Sequence, residues 1–298
     1  MDQTNVQNQG KSLFLQGNFN ANIDIKIGSN PAEGLFLFPQ ELKNLLAHAH
    51  YNFEQKRQEL LKNRNIRQQQ YDQGLVPTFE KNTVAKTTSW QVAPIPHDLL
   101  DRRVEITGPI SSAKMVINML NPNQDNEIAC TAMLDFEDSM APTWDNVLSG
   151  IKNIIGVANK NLSYEQITDS GVKTYKLNTE KMAVPMVRVR GLHMSEKNVL
   201  VNDVPIASGL FDLVCTAYHT AQKFVEQKRT PKFYIPKCEH YLEARWWNEL
   251  MSFVEEAIGL NNGTLRATFL IETLPAAFQM EEILFETRER ICGLNVGR

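Results

Sequence analysis

The sequence is poor in cysteine, and the few that occur show no functional spacing. Its 298 residues include four cysteines, and none of them forms a Cys-x-x-Cys pair. This scatter argues against a structural zinc site and against a disulfide framework. We therefore expect small core residues or incidental thiols in a reducing, cytoplasmic compartment at Cys130, Cys215, Cys238 and Cys292.

Long apolar runs and an excess of basic residues are also missing. No uninterrupted apolar stretch approaches the roughly 18 residues of a membrane span, and the first residues lack the layout of a signal peptide. Lysine and arginine number 31 against 34 acidic residues, a net charge of −3, so the chain offers no overall cationic field to a polyanion. We expect neither a membrane nor a nucleic acid as partner. Glycine-rich phosphate loops, Ser-His-Asp orders and zincin motifs are absent as well.

The chain divides near a proline-interrupted segment at residues 92–98. Before it, one long helix is predicted to begin after Phe38, with apolar residues at three-to-four-residue spacing as far as Phe53. Residues 54–70 turn polar and basic, which is typical of a solvated helix face. We therefore expect an N-terminal helical region over residues 1–95 and a second unit over residues 96–298.

After this division, short β-rich runs alternate with amphipathic helices, a pattern typical of βα units and a parallel sheet. The polar segment 161–181 is predicted as a surface excursion with a hairpin around Gly171. Residues 103–298 are too few for the roughly 250 residues of a complete eight-stranded barrel. We expect an α/β fold, an incomplete TIM (β/α)₈ barrel, with strands over residues 104–107, 130–137, 184–190, 233–239, 265–272 and 291–296.

Charged residues stand at the carboxyl ends of four predicted strands, although strands covered on both faces are usually apolar. The runs are LDFED at 134–138, VRVRG at 187–191, PKCE at 236–239 and LIE at 270–272. Ligand-binding loops gather at this end of parallel strands. Burying an ion costs several kcal/mol, so a repeated pattern favours use of the charges on a ligand, although for any single residue a structural ion-pair network is the alternative. Carboxylates with an arginine favour Mg²⁺ and an anionic small molecule.

Two residues are the main candidates within this pattern. Arg190 ends a predicted strand directly before Gly191, where the backbone can approach a ligand closely. Glu272 follows the apolar run at 269–271, so an unpartnered carboxylate would be destabilising there. We expect a metal or a cationic group next to Glu272.

Six ordered motifs carry a resemblance to a known family. They are SWQVAPIPHDLLDRRVEITGP, MLDFEDSMAPTW, VRVRGLHMSEKN, FYIPKCEHYLEARWWNE, FLIETLPAAFQMEEILFETRER and CGLNVGR. Together they resemble the malate synthase family, in its A-type branch, over essentially the whole chain from the N-terminal helix onward. The resemblance implies a (β/α)₈ barrel preceded by a helical clasp and followed by a C-terminal helical domain. It also implies a Claisen condensation of acetyl-CoA with glyoxylate to malate and CoA in the glyoxylate cycle, with Mg²⁺ as cofactor.

The resemblance also implies roles for individual residues. It places the electrophilic, glyoxylate-binding arginine of the family at Arg190. It places at Glu272 the glutamate that binds the metal and takes part in binding glyoxylate. Backbone amides at Gly297 and Arg298 would contact glyoxylate. Ser139 would face the coenzyme.

The sequence departs from the family pattern at residue 298. In the family the GLNVGR run continues into Trp-Asp-Tyr, whose aspartate is the second metal ligand, and the catalytic base lies further on. Neither carboxylate is among these 298 residues, so we expect the chain by itself to be inactive or nearly so. Two alternatives are a CoA-thioester lyase of the same barrel superfamily and a non-catalytic remnant that binds a CoA ester, an anion or a partner protein.

Overall fold

A computed structural model describes residues 23–28 and 34–297. Its strands are β1 (Ile25–Ile27), β2 (Glu105–Pro109), β3 (Thr131–Asp135), β4 (Ser163–Thr168), β5 (Gly171–Lys176), β6 (Val184–Arg188), β7 (Ser195–Val201), β8 (Val204–Ala207), β9 (Lys232–Ile235), β10 (Arg266–Ile271) and β11 (Ile291–Val296). Its helices are α1 (Gly34–Leu37), α2 (Gln40–Asp72), α3 (Val84–Thr87), α4 (Ala113–Leu120), α5 (Trp144–Ala158), α6 (Ser208–Glu226), α7 (Tyr241–Ala257), α8 (Leu274–Ala277) and α9 (Met280–Glu286).

A parallel sheet of six strands, in the order β2-β3-β6-β9-β10-β11, forms the centre of the protein. These are the six strands that the sequence predicts. Four of them end earlier than predicted. Strand β3 stops at Asp135, β6 at Arg188, β9 at Ile235 and β10 at Ile271. The residues that follow, up to Glu137 and Arg190, therefore belong to the loops at the carboxyl end of the sheet.

The two faces of the sheet have different surroundings. The outer face packs under connecting helices such as α5, whose buried stripe includes Val147, Ile151 and Ile154. The side chain of Thr143 caps this helix by accepting a hydrogen bond from the backbone N–H of Asn146. The inner face carries its own small cluster of Leu99, Met133, Met186, Tyr234, Leu270 and Cys292. An apolar outer shell and a filled interior are typical of a (β/α) barrel.

One guanidinium shows that the sheet is curled. Arg102 bonds Glu105 on β2 (Nε to Oε2, 2.8 Å), the hydroxyl of Thr268 on β10 (3.0 Å) and the carbonyl of Cys292 on β11 (3.3 Å). Strands β2 and β11 are the two edges of the sheet, and in a flat six-stranded sheet they would lie about 24 Å apart. A single side chain reaches both only if the sheet is strongly curled. The expected incomplete barrel is thereby confirmed.

The long helix α2 packs against α6 and α7 on the outside of the barrel. The indole nitrogen of Trp246 donates to the carbonyl of Phe53 across this contact, at 3.0 Å. The prediction that the basic half of the helix is a solvated face holds for exposed residues such as Lys62 and is wrong for Arg57. Arg57 is buried and bonds Glu54 and the carbonyl of Leu192, because the loop after β6 lies under it. The division of the chain near residue 95 stays a prediction.

Two antiparallel elements stand outside the barrel. The hairpin of β4 and β5 confirms the turn expected at Gly171, whose φ of +120° favours glycine. A second small sheet, of β1, β7 and β8, was not expected from the sequence. Strands β1 and β8 have only three and four residues, and β7 begins with four polar residues, so none of the three gives a strong strand signal. Within the described ranges, no helix has the length and apolar character needed to cross a bilayer.

Substitution of Gly209 tests how closely α6 packs against the backbone that follows β6. A Cβ at this position would overlap the carbonyl oxygen of Arg190 and come within 2.7 Å of the ring of Trp247. Gly209→Ala should therefore lower the free energy of unfolding by about 2 kcal/mol, measured by urea unfolding. Ser208→Ala is the matched control, because it adds no bulk and removes a buried hydroxyl without a partner among the described residues. Equal stability of the two variants would contradict the packing described.

Candidate active site

An ion pair between the last residues of two neighbouring strands organises the carboxyl end of the sheet. Asp135 of β3 stands opposite Arg188 of β6 and accepts two hydrogen bonds from its guanidinium, at 2.7 and 2.6 Å. It also accepts the backbone N–H groups of Glu137 and Ser139, both at 2.8 Å, and the Ser139 hydroxyl. Burial raises the pKa of Asp135, but the bonds and charge of Arg188 outweigh it and hold the pKa below its ordinary value. Asp135 is thus a saturated acceptor that orients Arg188.

The rest of the Arg188 guanidinium faces further charges. Its Nη1 lies 3.2 Å from Asp138 Oδ2 and 3.7 Å from Glu137 Oε2. Asp138 Oδ2 lies 3.2 Å from the ammonium of Lys237, which lies 3.0 Å from Glu272 Oε2. These contacts form one continuous ionic cluster of Arg188, Asp138, Lys237 and Glu272. We call these four residues and Glu137 the rim cluster.

Glu137 is the member of the rim cluster without a hydrogen bond. It is only 7% exposed, and neither of its carboxylate oxygens has a hydrogen-bond partner among the described residues. Burial, followed by repulsion from Asp138, raises its pKa to about 7, although Lys237 and Arg188 oppose the shift. A buried carboxylate without donors is costly unless a cation or a proton satisfies it. Binding of a cation or of a hydrogen-bond donor at Glu137 would therefore stabilise the rim cluster.

Glycine is required beside this carboxylate. A Cβ at Gly191 would lie 3.0 Å from Glu137 Oε1 and 2.7 Å from the ring of His193. The backbone after β6 therefore passes directly over Glu137. The close approach of the backbone to a ligand, expected at Gly191 from the sequence, stays a prediction.

Glu272 follows β10 and is held by a single residue. Its side chain is 3% exposed, and its two oxygens accept the backbone N–H of Lys237 at 2.7 Å and the ammonium of the same lysine at 3.0 Å. The sequence predicts a cationic group next to Glu272, and the structure places Lys237 there.

Arg190 lies elsewhere. Its guanidinium is buried and bonds Asp212 of α6 at 2.7 Å and Glu196 of β7 at 2.7 Å, and its backbone N–H also donates to Asp212. The structure therefore does not bring Arg190 together with Glu272, because β6 ends at Arg188 and two carboxylates behind the strand bind the later arginine. Arg188 stands in the position relative to the acidic groups that the sequence analysis assigns to Arg190.

The remaining predicted residues have mixed placements. The Ser139 hydroxyl donates to Asp135, so this serine supports the arginine through that carboxylate. The N–H of Gly297 donates to the carbonyl of Ile271 at 3.3 Å, one residue before Glu272, which puts the glycine beside the rim cluster. Arg298 lies outside the described residues. The roles proposed for these three residues stay predictions.

Sequence reasoning did not single out Arg188, Glu137, Asp138 or Lys237. All four stand in the charged runs at the strand ends, so the signal was present. Arg188 and Arg190 share a two-residue spacing, and only the observed end of β6 separates their directions. Asp135, the partner that distinguishes them, is one strand away and cannot be paired from spacing alone.

The carboxylates fit a hard divalent cation in part. Among the residues described, no three or more His, Cys, Asp or Glu side chains are grouped closely enough to hold a metal ion. Mg²⁺, however, is usually bound through one or two carboxylates together with waters and substrate oxygens. Glu272 and the unsatisfied Glu137 supply carboxylates of this kind at the open end of the barrel.

Fold and site together define a (β/α)-barrel protein with an ionic binding site at the carboxyl ends of its strands. Comparison with known proteins identifies the family. The chain matches the family models "Malate synthase, TIM barrel domain" over residues 184–298 and "Malate synthase, N-terminal domain" over residues 37–84. The chain belongs to the malate synthase family.

Individual relatives support the same family. The chain is 43% identical over 277 residues to the glyoxysomal malate synthase of Candida tropicalis, covering 91% of this chain and 48% of the relative. It is 43% identical over 258 residues to malate synthase A of Escherichia coli K12, covering 86% and 46%. The chain spans about half the length of these curated relatives. A solved structure of Haloferax volcanii malate synthase, a magnesium/glyoxylate complex, is 17% identical with a TM-score of 0.43, covering 61% of this chain and 46% of that one.

The raised pKa of Glu137 predicts a pH-dependent stability in buffer free of divalent cations. Between its ordinary value of 4.5 and about 7, the folded carboxyl keeps a proton that the unfolded chain has lost, so its contribution falls as the pH rises. Glu137→Gln should raise the free energy of unfolding by about 1–3 kcal/mol at pH 8 and change it little at pH 4.5. Chemical unfolding at both pH values, with the exposed Glu165→Gln as control, measures this. A pH-independent difference would contradict the assignment.

Proposed function

We propose that this chain carries the glyoxylate- and magnesium-binding part of a malate synthase site, which condenses acetyl-CoA with glyoxylate to give malate and CoA. The observation that supports it is the rim cluster. An arginine fixed by a saturated carboxylate and an unsatisfied buried carboxylate lie beside the buried Glu272 in a member of the malate synthase family. An α-keto acid with a reactive aldehyde is small and anionic, and it matches this arrangement of charges.

Arg188 is proposed as the group that binds the aldehyde oxygen of glyoxylate. Its position at the end of β6 is fixed by two bonds to Asp135, so little reorganisation accompanies binding. Negative charge develops on the aldehyde oxygen when the carbon nucleophile attacks, and a guanidinium that keeps its proton stabilises that charge. In this proposal Arg188 takes the role that the sequence analysis assigns to Arg190, which is committed to Asp212 and Glu196.

Glu272 and Glu137 are proposed to hold Mg²⁺. Both are buried, and the oxygens of Glu137 lack hydrogen bonds among the described residues, so a cation would satisfy them. The metal, when bound, polarises the keto-acid oxygens towards attack. Asp138 and Lys237 border the same position and complete the balance of charge.

The remaining parts of the proposal concern the second substrate and location. Acetyl-CoA would contact Ser139, and the backbone amides of Gly297 and Arg298 would contact glyoxylate, as the family resemblance implies. All four cysteines are unpaired, which suits the reducing cytoplasm expected for this protein.

The two arginines of the VRVR run give a sharp test. In the presence of Mg²⁺, Arg188→Lys should weaken glyoxylate binding by at least about tenfold, because lysine cannot reproduce the two-pronged contact to Asp135 and the substrate oxygen together. Arg190→Lys should lower the melting temperature but leave the glyoxylate affinity of the folded protein unchanged. Calorimetric titration of glyoxylate measures both.

Arg103→Lys serves as the matched control, because Arg103 is 82% exposed and pairs only locally with Asp101. Unchanged affinity in Arg188→Lys, together with lost affinity in Arg190→Lys, would return the role to Arg190. If the unaltered chain shows no Mg²⁺-dependent glyoxylate binding, the proposed function is wrong for this chain.

A further inference from the structure

Lys237 has a backbone conformation that its residue type disfavours. Its φ is +53°, in the left-handed region where a side chain other than glycine, asparagine or aspartate is uncommon. Such strain persists only where the surroundings enforce it, and it concentrates at functional positions. Here the conformation directs the N–H and the side chain of one residue to the same place. The backbone N–H bonds Glu272 Oε1 at 2.7 Å, and the ammonium lies 3.0 Å from Glu272 Oε2.

The ammonium also bridges to the neighbouring strand end. It lies 3.2 Å from Asp138 Oδ2, so a single positive charge joins Asp138 after β3 to Glu272 after β10. The other cation of the rim cluster, Arg188, is bound through two nitrogens to Asp135. Its Nη1 also faces Asp138 at 3.2 Å and Glu137 at 3.7 Å, so these two carboxylates have a second cation nearby. Among the described residues Glu272 is paired with Lys237 alone and depends mainly on it for compensation of its charge. Like charges this close would otherwise repel one another.

The bridge can open. The Lys237 side chain is 30% exposed and the Asp138 side chain 52%, so water reaches the ammonium from outside. Glu272, in contrast, is 3% exposed and has both oxygens engaged by this lysine. A divalent cation can use Glu272 Oε2 only if the ammonium leaves it. The flexible four-carbon stem of lysine permits that movement while the backbone bond to Oε1 stays in place.

We propose that Lys237 is an internal counter-cation of the acidic rim, which occupies the carboxylates in the metal-free protein and is displaced from Glu272 when a divalent cation binds. The inference rests on the proposed function of this site. It makes Lys237 a positioning residue with two separable effects. The backbone N–H fixes the carboxylate of Glu272, and the ammonium competes with the metal for it.

The two effects predict opposite changes when only the ammonium is removed. Lys237→Met keeps the backbone N–H and the length of the side chain but carries no charge. The metal-free variant should be less stable, because Glu272 loses its cationic partner and Asp138 loses one of two. Its affinity for Mg²⁺ should nevertheless rise by about tenfold, because the competing charge is gone. A residue with a purely structural role would lower stability and metal affinity together.

The experiment is a titration of the full chain with Mg²⁺ alone. Binding is measured by calorimetry and by the shift in melting temperature. Lys237→Arg retains the charge and should bind Mg²⁺ like the unaltered protein. Lys223→Met is the matched control, because Lys223 is half-exposed on α6, pairs with Glu226 and carries the same charge away from the rim. Tighter Mg²⁺ binding in Lys237→Met, with no change in Lys223→Met, supports the proposal.

Two outcomes overturn it and differ from each other. If the unaltered protein and Lys237→Met bind Mg²⁺ with equal affinity, or the variant binds more weakly, the counter-cation role is wrong while the metal site stands. If neither protein binds Mg²⁺ at millimolar concentration, the metal site proposed above is wrong and the role of Lys237 falls with it.

Discussion

The bond between Asp135 and Arg188 is the interaction on which the site depends. It joins the last residues of two adjacent parallel strands, so the register of the sheet sets the position of the guanidinium. Asp135 is fully buried and accepts every donor that surrounds it, including two backbone N–H groups of the loop that carries Glu137 and Ser139. Such complete pairing offsets the cost of burying this carboxylate. The same carboxylate therefore fixes the strand ends, the loop and the arginine at once.

The architecture was largely predictable from the sequence, because short β-rich runs and amphipathic stripes each report on one local element. All six barrel strands and the hairpin at Gly171 follow from such patterns, and the charged strand ends correctly indicated the end of the barrel where the rim cluster lies. The small sheet of β1, β7 and β8 did not, since β1 and β8 are very short and β7 begins with four polar residues. The burial of Arg57 in α2 was missed because the loop that covers it, at Leu192, is far away in the chain.

The choice between Arg188 and Arg190 shows where sequence reasoning reaches its limit. The two residues have the same side chain and are two positions apart, and Arg190 directly precedes Gly191. Their directions differ because Asp212 and Glu196 bind one of them behind the strand while Asp135 binds the other at its end. Those carboxylates come from a helix and two strands that only the tertiary structure brings together. A charge pattern in the sequence can thus indicate the end of the barrel where charged residues gather. Only the tertiary ion pairs show which of the two arginines faces the rim cluster.

The inner contacts of Arg102 bear on the order in which the molecule folds. This arginine and Cys292 are 190 positions apart along the chain, and Thr268 is separated from it by 166. Contacts of such separation form only after a large loss of chain entropy, whereas each βα unit between them is assembled from near neighbours. The curl of the sheet should therefore be completed after its units exist. The rim cluster draws on β3, β6, β9 and β10, so its geometry is complete only when all four of these strands are in place.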